Sequence, residues 1–221
     1  MQKPIKGGNL VVKLAHVWAD IFFFMIGIRT LVMYEVPHDK NKEFIFVSNH
    51  ISYLDIPMMV KVIFGQNFRV LGKAEMAKIP IFGAIYKRGA VIVDRESPEA
   101  RKESVEKLTK FINKKISVFI CPEGTFNMTH EPLKFFYDGA FRIASDTQTP
   151  IKPILFLDTY DRLNYKSIFS LTPGRCRAVY LSEVSTDGLT QEDVQALKEK
   201  VFKNMEEALV RYQASWIIKK G

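Results

Sequence analysis

The sequence has little cysteine. Cys121 and Cys176 are its two cysteines among 221 residues, too few for a disulfide framework. A chain of this length can bury one large core without cross-links, so we expect reduced thiols, as in a cytosolic setting. Residues 1–8 lack the basic, apolar and small-residue succession of a leader, and the sequence therefore predicts no cleaved secretory signal.

The sequence also lacks an apolar run long enough to cross a membrane. Its most hydrophobic segment, residues 10–36, contains Lys13, Asp20 and Arg29, which interrupt it before about 18 uncharged residues accumulate. Two interpretations stay open: a helix that docks in the membrane interface, or a buried packing helix. We divide the chain into an apolar, membrane-associating helical region over residues 1–36 and an α/β domain over residues 37–221.

The spacings typical of metal and nucleotide sites are absent too. His16, His38 and His130 are too dispersed for metal ligands, and no glycine loop of the nucleotide-binding type occurs. We expect no metal and no bound organic cofactor. The 32 basic and 24 acidic residues leave a net charge of +8, which favours a negatively charged partner. Because the basic residues are scattered and no nucleic-acid motif accompanies them, we expect anionic lipid or a phosphorylated substrate rather than nucleic acid.

From residue 44 onwards, short β-rich runs alternate with amphipathic helical patterns. The predicted strands cover residues 43–48, 68–72, 90–94, 116–121, 151–156 and 176–184. Helices are predicted over residues 98–115 and 191–213, where apolar residues recur at helical spacing. The alternation predicts an α/β fold with a mixed central sheet of about six or seven strands flanked by helices. Ligands of such sheets gather where strand ends meet loops, so polar residues after strands are candidate site residues.

One such candidate is the segment SNHISYLDIP at residues 48–57, in which Asp55 follows His50 by five positions. On one continuous helix, these side chains would lie about 140° apart and could not pair. They meet if His50 lies in the turn before a helix that begins near Ser52, with Asp55 in its first turn. The segment therefore predicts a strand, a turn and a helix in succession.

Two roles are open for this pair. Ser52 and Asp55 have the spacing of a capping box, in which Asp55 bonds a backbone amide and does no chemistry. In the chemical interpretation, His50 is a general base on an acceptor hydroxyl and Asp55 holds the imidazole tautomer. A thioester donor would then need no enzyme-bound acyl intermediate, and backbone amides at the helix start are candidate donors to the oxyanion.

Four blocks of sequence stand at predicted strand ends. NHISYLD (49–55) is followed by GKAEMAKIPIFGAIYKRGAVIVDR (72–95), FICPEGT (119–125) and TPIKPILF (149–156). In this order, over residues 21–156, the chain resembles the 1-acylglycerol-3-phosphate acyltransferase family, the PlsC-like glycerolipid acyltransferases. The resemblance implies an O-acyltransferase in which His50 and Asp55 carry catalysis.

The resemblance also implies which residues hold the acceptor. Lys73 and Arg95 would bind a phosphomonoester, and Arg95 can hold two phosphate oxygens at once. Glu123, Gly124 and Thr125 would complete the acceptor pocket. By their chemistry alone, other roles are open: Lys73 could be an ordinary surface lysine, Arg95 could pair with a neighbouring acid, and residues 123–125 could form an ordinary turn.

One position departs from the family pattern. Many members continue the third block with arginine, whereas this chain has Phe126, which removes a phosphate contact. Lys134, Arg142 and Lys152 are candidates to supply that charge, and we include Lys152 among the predicted substrate-binding residues. The change also makes a lyso-aminolipid acceptor compatible with the sequence.

The resemblance implies transfer of a fatty acyl group to the free hydroxyl of a lysophospholipid, with 1-acylglycerol-3-phosphate giving phosphatidic acid as the first expectation. The donor, a co-substrate, would be acyl-carrier protein or acyl-CoA. Two other hypotheses stay open: a thioesterase or lysophospholipase that uses the same histidine and aspartate, and a non-catalytic lipid-binding module. We expect a peripheral or monotopic protein at the cytoplasmic face of the cell membrane.

Overall fold

The chain builds a seven-stranded mixed sheet, seen in a computed structural model that describes residues 8–73, Tyr86, 90–93 and 98–217. The strands are β1 Ile28–Tyr34, β2 Ile45–Ser48, β3 Phe68–Lys73, β4 Ala90–Val93, β5 Ser117–Ile120, β6 Ile151–Phe156 and β7 Gly174–Tyr180. Their order in the sheet is β1-β7-β6-β2-β5-β3-β4. The predicted α/β fold is confirmed, and the six predicted strands correspond to β2 to β7.

Helices cover both faces of this sheet. They are α1 Gly8–Met25, α2 Asp55–Val62, α3 Pro98–Ile112, α4 Gly139–Thr147, α5 Thr159–Arg162 and α6 Val194–Arg211. Because side chains alternate along a strand, Phe44 and Phe46 pack in a different buried cluster from Ile45 and Val47. Helices α1 and α2 contribute to the first cluster, and α3, α4 and α6 contribute to the second. The central strands are apolar on both sides for this reason.

The N-terminal region differs from the prediction in one respect. The apolar segment was predicted to be helical as far as residue 36, but α1 ends at Met25 and residues 28–34 form β1. Gly27 makes the break, since its φ of 67° lies in the left-handed region that favours glycine. The residues that follow pair in parallel with β7 along their whole length, from Ile28 opposite Gly174 to Tyr34 opposite Tyr180.

Helix α1 packs on α2 through one face and exposes apolar side chains on another. Ala19 and Phe23 are buried, whereas Val17 and Ile21 are more than half exposed and Phe24 is 86% exposed. Within the described residues, no helix combines the length and the hydropathy needed to cross a bilayer. Docking of α1 on a membrane therefore stays a prediction.

The direction of the strands decides where a site can form. Strands β2 to β6 all run in the same direction, so their carboxyl ends meet at one edge, which we call the carboxyl edge. Strand β7 is antiparallel to β6, and β1 is parallel to β7, so both of these strands begin at the carboxyl edge. The loops that follow β2 and β5, which contain His50 and Glu123, lie side by side there.

Candidate active site

The imidazole of His50 and the carboxylate of Asp55 form a hydrogen-bonded pair at the carboxyl edge. His50 Nδ1 lies 2.8 Å from Asp55 Oδ2. The Asp55 side chain is 2% exposed, and that of His50 is 19% exposed. In the described part of the chain, the second ring nitrogen, Nε2, has no hydrogen-bond partner. A carboxylate on Nδ1 favours the tautomer that carries its proton there, which leaves Nε2 free to accept another.

Asp55 makes contacts that both interpretations require, to backbone N–H groups and to the imidazole, but Leu54 and not Ser52 is the N-cap of α2. Asp55 Oδ2 accepts the backbone N–H groups of Ile51 at 2.7 Å and Ser52 at 2.8 Å, in addition to the bond from His50. The carboxylate therefore shapes the turn and orients the imidazole at the same time. Helix α2 begins at Asp55, three residues later than predicted, because residues 52–54 form a turn.

The amides of this turn are already bonded within the protein. The N–H of His50 donates to Glu123, and that of Leu54 donates to Ser52 Oγ at 2.9 Å. Together with the two amides bound by Asp55, these four amides of the turn are occupied, so a reacting carbonyl would have to displace an existing bond to reach them. Oxyanion donation by backbone amides at the helix start stays a prediction.

Glu123 lies behind His50 and is fully buried. Its Oε1 accepts the backbone N–H of His50 at 2.8 Å, and its Oε2 accepts that of Lys134 at 3.1 Å. Burial raises the pKa of Glu123 to about 7, although both backbone bonds favour the charged form. Glu123 was predicted to contact the acceptor, but both of its carboxylate oxygens accept backbone N–H groups of the protein. Glu123 joins the loop after β2 to the loop after β5.

The turn after β5 presents two further predicted residues. Gly124 has a φ of 73°, and a Cβ atom there would lie 2.7 Å from Tyr137 Cε2, so both the backbone and the space require glycine. Thr125 is exposed, and its Oγ1 accepts a hydrogen bond from Lys134 Nζ. Lys134 therefore brings a cation next to this turn.

The other predicted cations lie in different places. Lys73 is the last residue of β3 and stands at the carboxyl edge, in register with Val93, while Arg95 falls outside the described residues. Arg142 is on α4, where it pairs with Asp138. Lys152 is the second residue of β6, about 13 Å along the strand from its carboxyl end. The structure does not bring Lys152 to His50.

An aromatic group centred on Phe126 lies against His50, and no motif in the sequence indicated it. Phe126 makes an edge contact with the His50 ring, with 4.4 Å between centroids, and a second one with Tyr53 at 5.0 Å. Tyr165 stacks on Phe126 at 6.2 Å. Tyr165 lies outside the four blocks, and its contact with Phe126 spans 39 positions (165 − 126), so no local spacing could have indicated it.

Asn49 also helps to place His50, although no role was predicted for it from the sequence. Its side chain donates to the carbonyl of Phe156 at 3.0 Å and accepts the N–H of the same residue at 2.9 Å. These two bonds tie the residue before His50 to the end of β6. The sequence feature that could have indicated Asn49 was its position in the NHISYLD block, directly before His50.

Comparison with known proteins identifies relatives of this chain. A family model described as Acyltransferase matches residues 31–157. The protein 1-acyl-sn-glycerol-3-phosphate acyltransferase alpha of Mus musculus is 32% identical over 184 residues, which cover 82% of this chain and 64% of the mouse protein. An uncharacterized acyltransferase of Schizosaccharomyces pombe is 30% identical over 220 residues, 98% of this chain and 77% of the yeast protein. The chain thus spans less than two thirds of the mouse protein.

A solved structure has the same fold. The crystal structure of the 1-acyl-sn-glycerophosphate (LPA) acyltransferase PlsC from Thermotoga maritima superposes with a TM-score of 0.75 and 23% sequence identity. The match covers 99% of this chain and 86% of that one. At this level of identity, the likeness concerns the fold, and the chemistry must be argued from the residues themselves.

Proposed function

The chain belongs to the acyltransferase family, and we propose that it transfers a fatty acyl group from a thioester carrier to the free hydroxyl of a lysophospholipid. The proposed acceptor is 1-acylglycerol-3-phosphate, and the product is phosphatidic acid. The observation that carries this proposal is the His50–Asp55 bond, formed at the carboxyl edge with Nδ1 on the carboxylate. The name of the mouse relative supports the choice of acceptor. The proposed donor is acyl-CoA or acyl-carrier protein.

The reaction needs a base because a hydroxyl has too high a pKa to attack unaided. His50 Nε2 takes the proton of the acceptor hydroxyl as its oxygen bonds to the thioester carbonyl carbon. Asp55, bound to Nδ1, stabilises the imidazolium that forms. The tetrahedral intermediate then collapses, the carbon–sulfur bond breaks, and the leaving thiolate takes the proton from Nε2. Ester and free thiol are the products, and His50 returns to its starting state.

We propose that Thr125 and Lys134 contact the acceptor head group. The Lys134 ammonium is a charge that can bind a phosphomonoester next to the catalytic pair, and it stands close in sequence to the position where the family has arginine. Lys73 extends the proposal along the carboxyl edge, because β3 ends there. Arg95 remains the predicted second phosphate ligand.

The proposal includes attachment to the cytoplasmic face of the cell membrane without a spanning helix. Its support is the exposed apolar side of α1, where Leu14, Val17 and Ile21 follow one another at helical spacing and are each more than half exposed. Neither Cys121 nor Cys176 forms a disulfide, which agrees with a reducing compartment.

The direct test is acyl transfer by the purified chain, with acyl-CoA or acyl-carrier protein as donor and a panel of lysolipids as acceptors. His50→Ala is the inactive variant, and His130→Ala, whose imidazole faces the carbonyl of Trp216, is the matched control. We expect phosphatidic acid to form with the wild type and with the His130 variant. Transfer only to another lysolipid would change the acceptor, and fatty acid release that is independent of acceptor would replace the transferase with a thioesterase.

A further inference from the structure

Two separate segments expose large apolar side chains at the same end of the molecule. At the end of α1, Phe24 is 86% exposed and Met25 is 70% exposed. In the loop that precedes β7, Phe169 is 91% exposed, Ile168 68% and Leu171 39%. We call these five residues the apolar tip. Exposed apolar groups of this size mark surfaces that bind something else.

Backbone contacts join the two segments. The N–H of Gly174 donates to the carbonyl of Gly27 at 3.0 Å, directly after α1 and directly before β7. A Cβ atom on Gly27 would lie 3.0 Å from Pro173 Cβ, so the chain on either side is in close contact. Ile28 is in register with Gly174. The end of α1 and the loop of residues 165–173 therefore lie together, where β1 and β7 begin.

The same loop reaches the catalytic turn. Ser52 Oγ donates to the carbonyl of Leu163, and Ser52 forms a β-bridge with Asn164. Tyr165 stacks on Phe126, which contacts the His50 ring. The apolar tip is therefore connected to the site by a few residues of chain, on the carboxyl edge of the sheet.

Cations lie next to the apolar tip. Arg29 and Arg175 are exposed partners on β1 and β7, and Lys166 is exposed in the loop itself. Asp161 is the one acidic residue in the sequence from 159 to 175. Exposed apolar side chains flanked by basic ones favour binding to a bilayer with anionic head groups.

We infer that the apolar tip, with Ile168 and Phe169 at its end, inserts into the surface of an anionic lipid bilayer and holds the His50 site against it. The choice of a bilayer as the occupant rests on the proposed function, since a lysophospholipid acceptor lies in the membrane. Phe24 continues the exposed side of α1, and the loop residues Ile168, Phe169 and Leu171 add a second contact to it. Two contacts fix the orientation of the molecule, so that the acceptor reaches His50 from the lipid side.

Co-sedimentation of the full chain with vesicles tests this inference without any turnover. The vesicles are phosphatidylcholine alone, and phosphatidylcholine mixed with phosphatidylglycerol. We expect Ile168→Ser and Phe169→Ser each to lower the partition into mixed vesicles about tenfold, because each removes an inserted apolar side chain. Val210→Ser is the matched control, since Val210 is 56% exposed on α6. Added salt should weaken binding to the mixed vesicles more than to neutral ones.

Two further measurements complete the test. Thermal unfolding should give the same midpoint for the three variants and the wild type, since all the changed side chains are exposed. Transfer to a water-soluble short-chain acceptor should be unchanged in the tip variants, while transfer to an acceptor embedded in vesicles falls. Equal partition of all three variants with the wild type would overturn the inference. So would a dimer in lipid-free solution that the tip variants separate, because a second copy would then cover the tip. Vesicle binding needs no catalysis, so its loss differs from failure of the proposed reaction.

Discussion

The buried carboxylate of Glu123 accepts the backbone N–H of His50 at 2.8 Å, although 73 positions separate these residues in the sequence. The N–H of Asn127 donates to the carbonyl of His50 at 2.7 Å from the same loop. The loop after β5 therefore holds both sides of the His50 backbone, while Asp55 holds its ring. The imidazole of His50, the proposed base, would therefore lose little freedom on binding of the proposed acceptor.

Replacement of His50 by alanine should abolish most of the transferase activity. We expect kcat to fall about 100- to 10,000-fold, because the acceptor hydroxyl loses its base. The free energy of unfolding should change little, since His50 bonds through its ring to one partner and is partly exposed. Steady-state kinetics with the His130→Ala control measures the effect. A kcat for His50→Ala equal to that of the control would show that His50 is not the base.

Asp55→Asn should lower both activity and stability. The amide removes the negative charge opposite the imidazolium and favours the wrong tautomer, so we expect kcat to fall about 100-fold or more. Three N–H groups, two of them from the backbone, converge on Asp55 Oδ2, and a weaker acceptor there should lower the free energy of unfolding by about 1 to 3 kcal/mol.

The measurements are kinetics and urea unfolding, with the exposed Asp187→Asn as control. A loss of stability with normal kcat would assign Asp55 to the turn before α2 alone.

Glu123→Gln should remove a pH dependence of stability. The pKa of Glu123 is raised from 4.5 to about 7, so between these values the folded state keeps a proton that the unfolded state has lost. The free energy of unfolding therefore falls as the pH rises through this window. The loss caused by burying the charged carboxylate is fully present above pH 7. We expect the stability of the wild type relative to Glu123→Gln to decrease by roughly 2 kcal/mol between pH 5 and pH 8.

Urea unfolding at a series of pH values measures this difference. The Gln side chain keeps one oxygen acceptor but turns an amide group towards the second backbone N–H, so we also expect a lower kcat at pH 8. Parallel pH profiles for the two proteins would contradict the assigned pKa of Glu123.

Lys152→Met should stabilise the protein and leave the activity unchanged. Lys152 is 1% exposed, its Nζ lies 5.9 Å from the centre of the Phe44 ring, and no ion pair joins it to any described residue. Burial lowers the pKa of Lys152, so the folded state disfavours the ammonium form. Burial of the Lys152 ammonium lowers the free energy of unfolding. This loss is fully present below the pKa of Lys152 in the folded protein and is relieved as the pH rises towards 10.5.

We expect a gain of about 1 to 3 kcal/mol in the free energy of unfolding at neutral pH. Lys134→Met serves as the comparison in the kinetic assay. Lys134 lies next to the 123–125 turn, so its loss should raise the KM for a phosphorylated acceptor. A raised acceptor KM for Lys152→Met would restore the sequence-based assignment of Lys152 to substrate binding.

Local patterns were sufficient for the strands from β2 to β7 and for the two long surface helices. The runs IFVS and SVFI are buried on both sides, so their composition alone distinguishes them from the amphipathic helices. Strand β1 was missed because its residues continue the apolar pattern of α1. Gly27 was visible in the segment, but the pairing with β7, about 150 positions away, has no signature there.

The pairing of His50 with Asp55 was determined by the sequence, since five positions and a turn bring the two side chains together. Strand direction and long-range contact decided the rest of the site. Glu123 reaches His50 because β2 and β5 are parallel neighbours, and burial then raises its pKa. Lys152 lies within the fourth block, but it stands near the start of β6, on the side of the sheet opposite to the carboxyl edge. The sequence shows which side chains are charged. Their distance from His50 depends on how the strands are ordered and where they end.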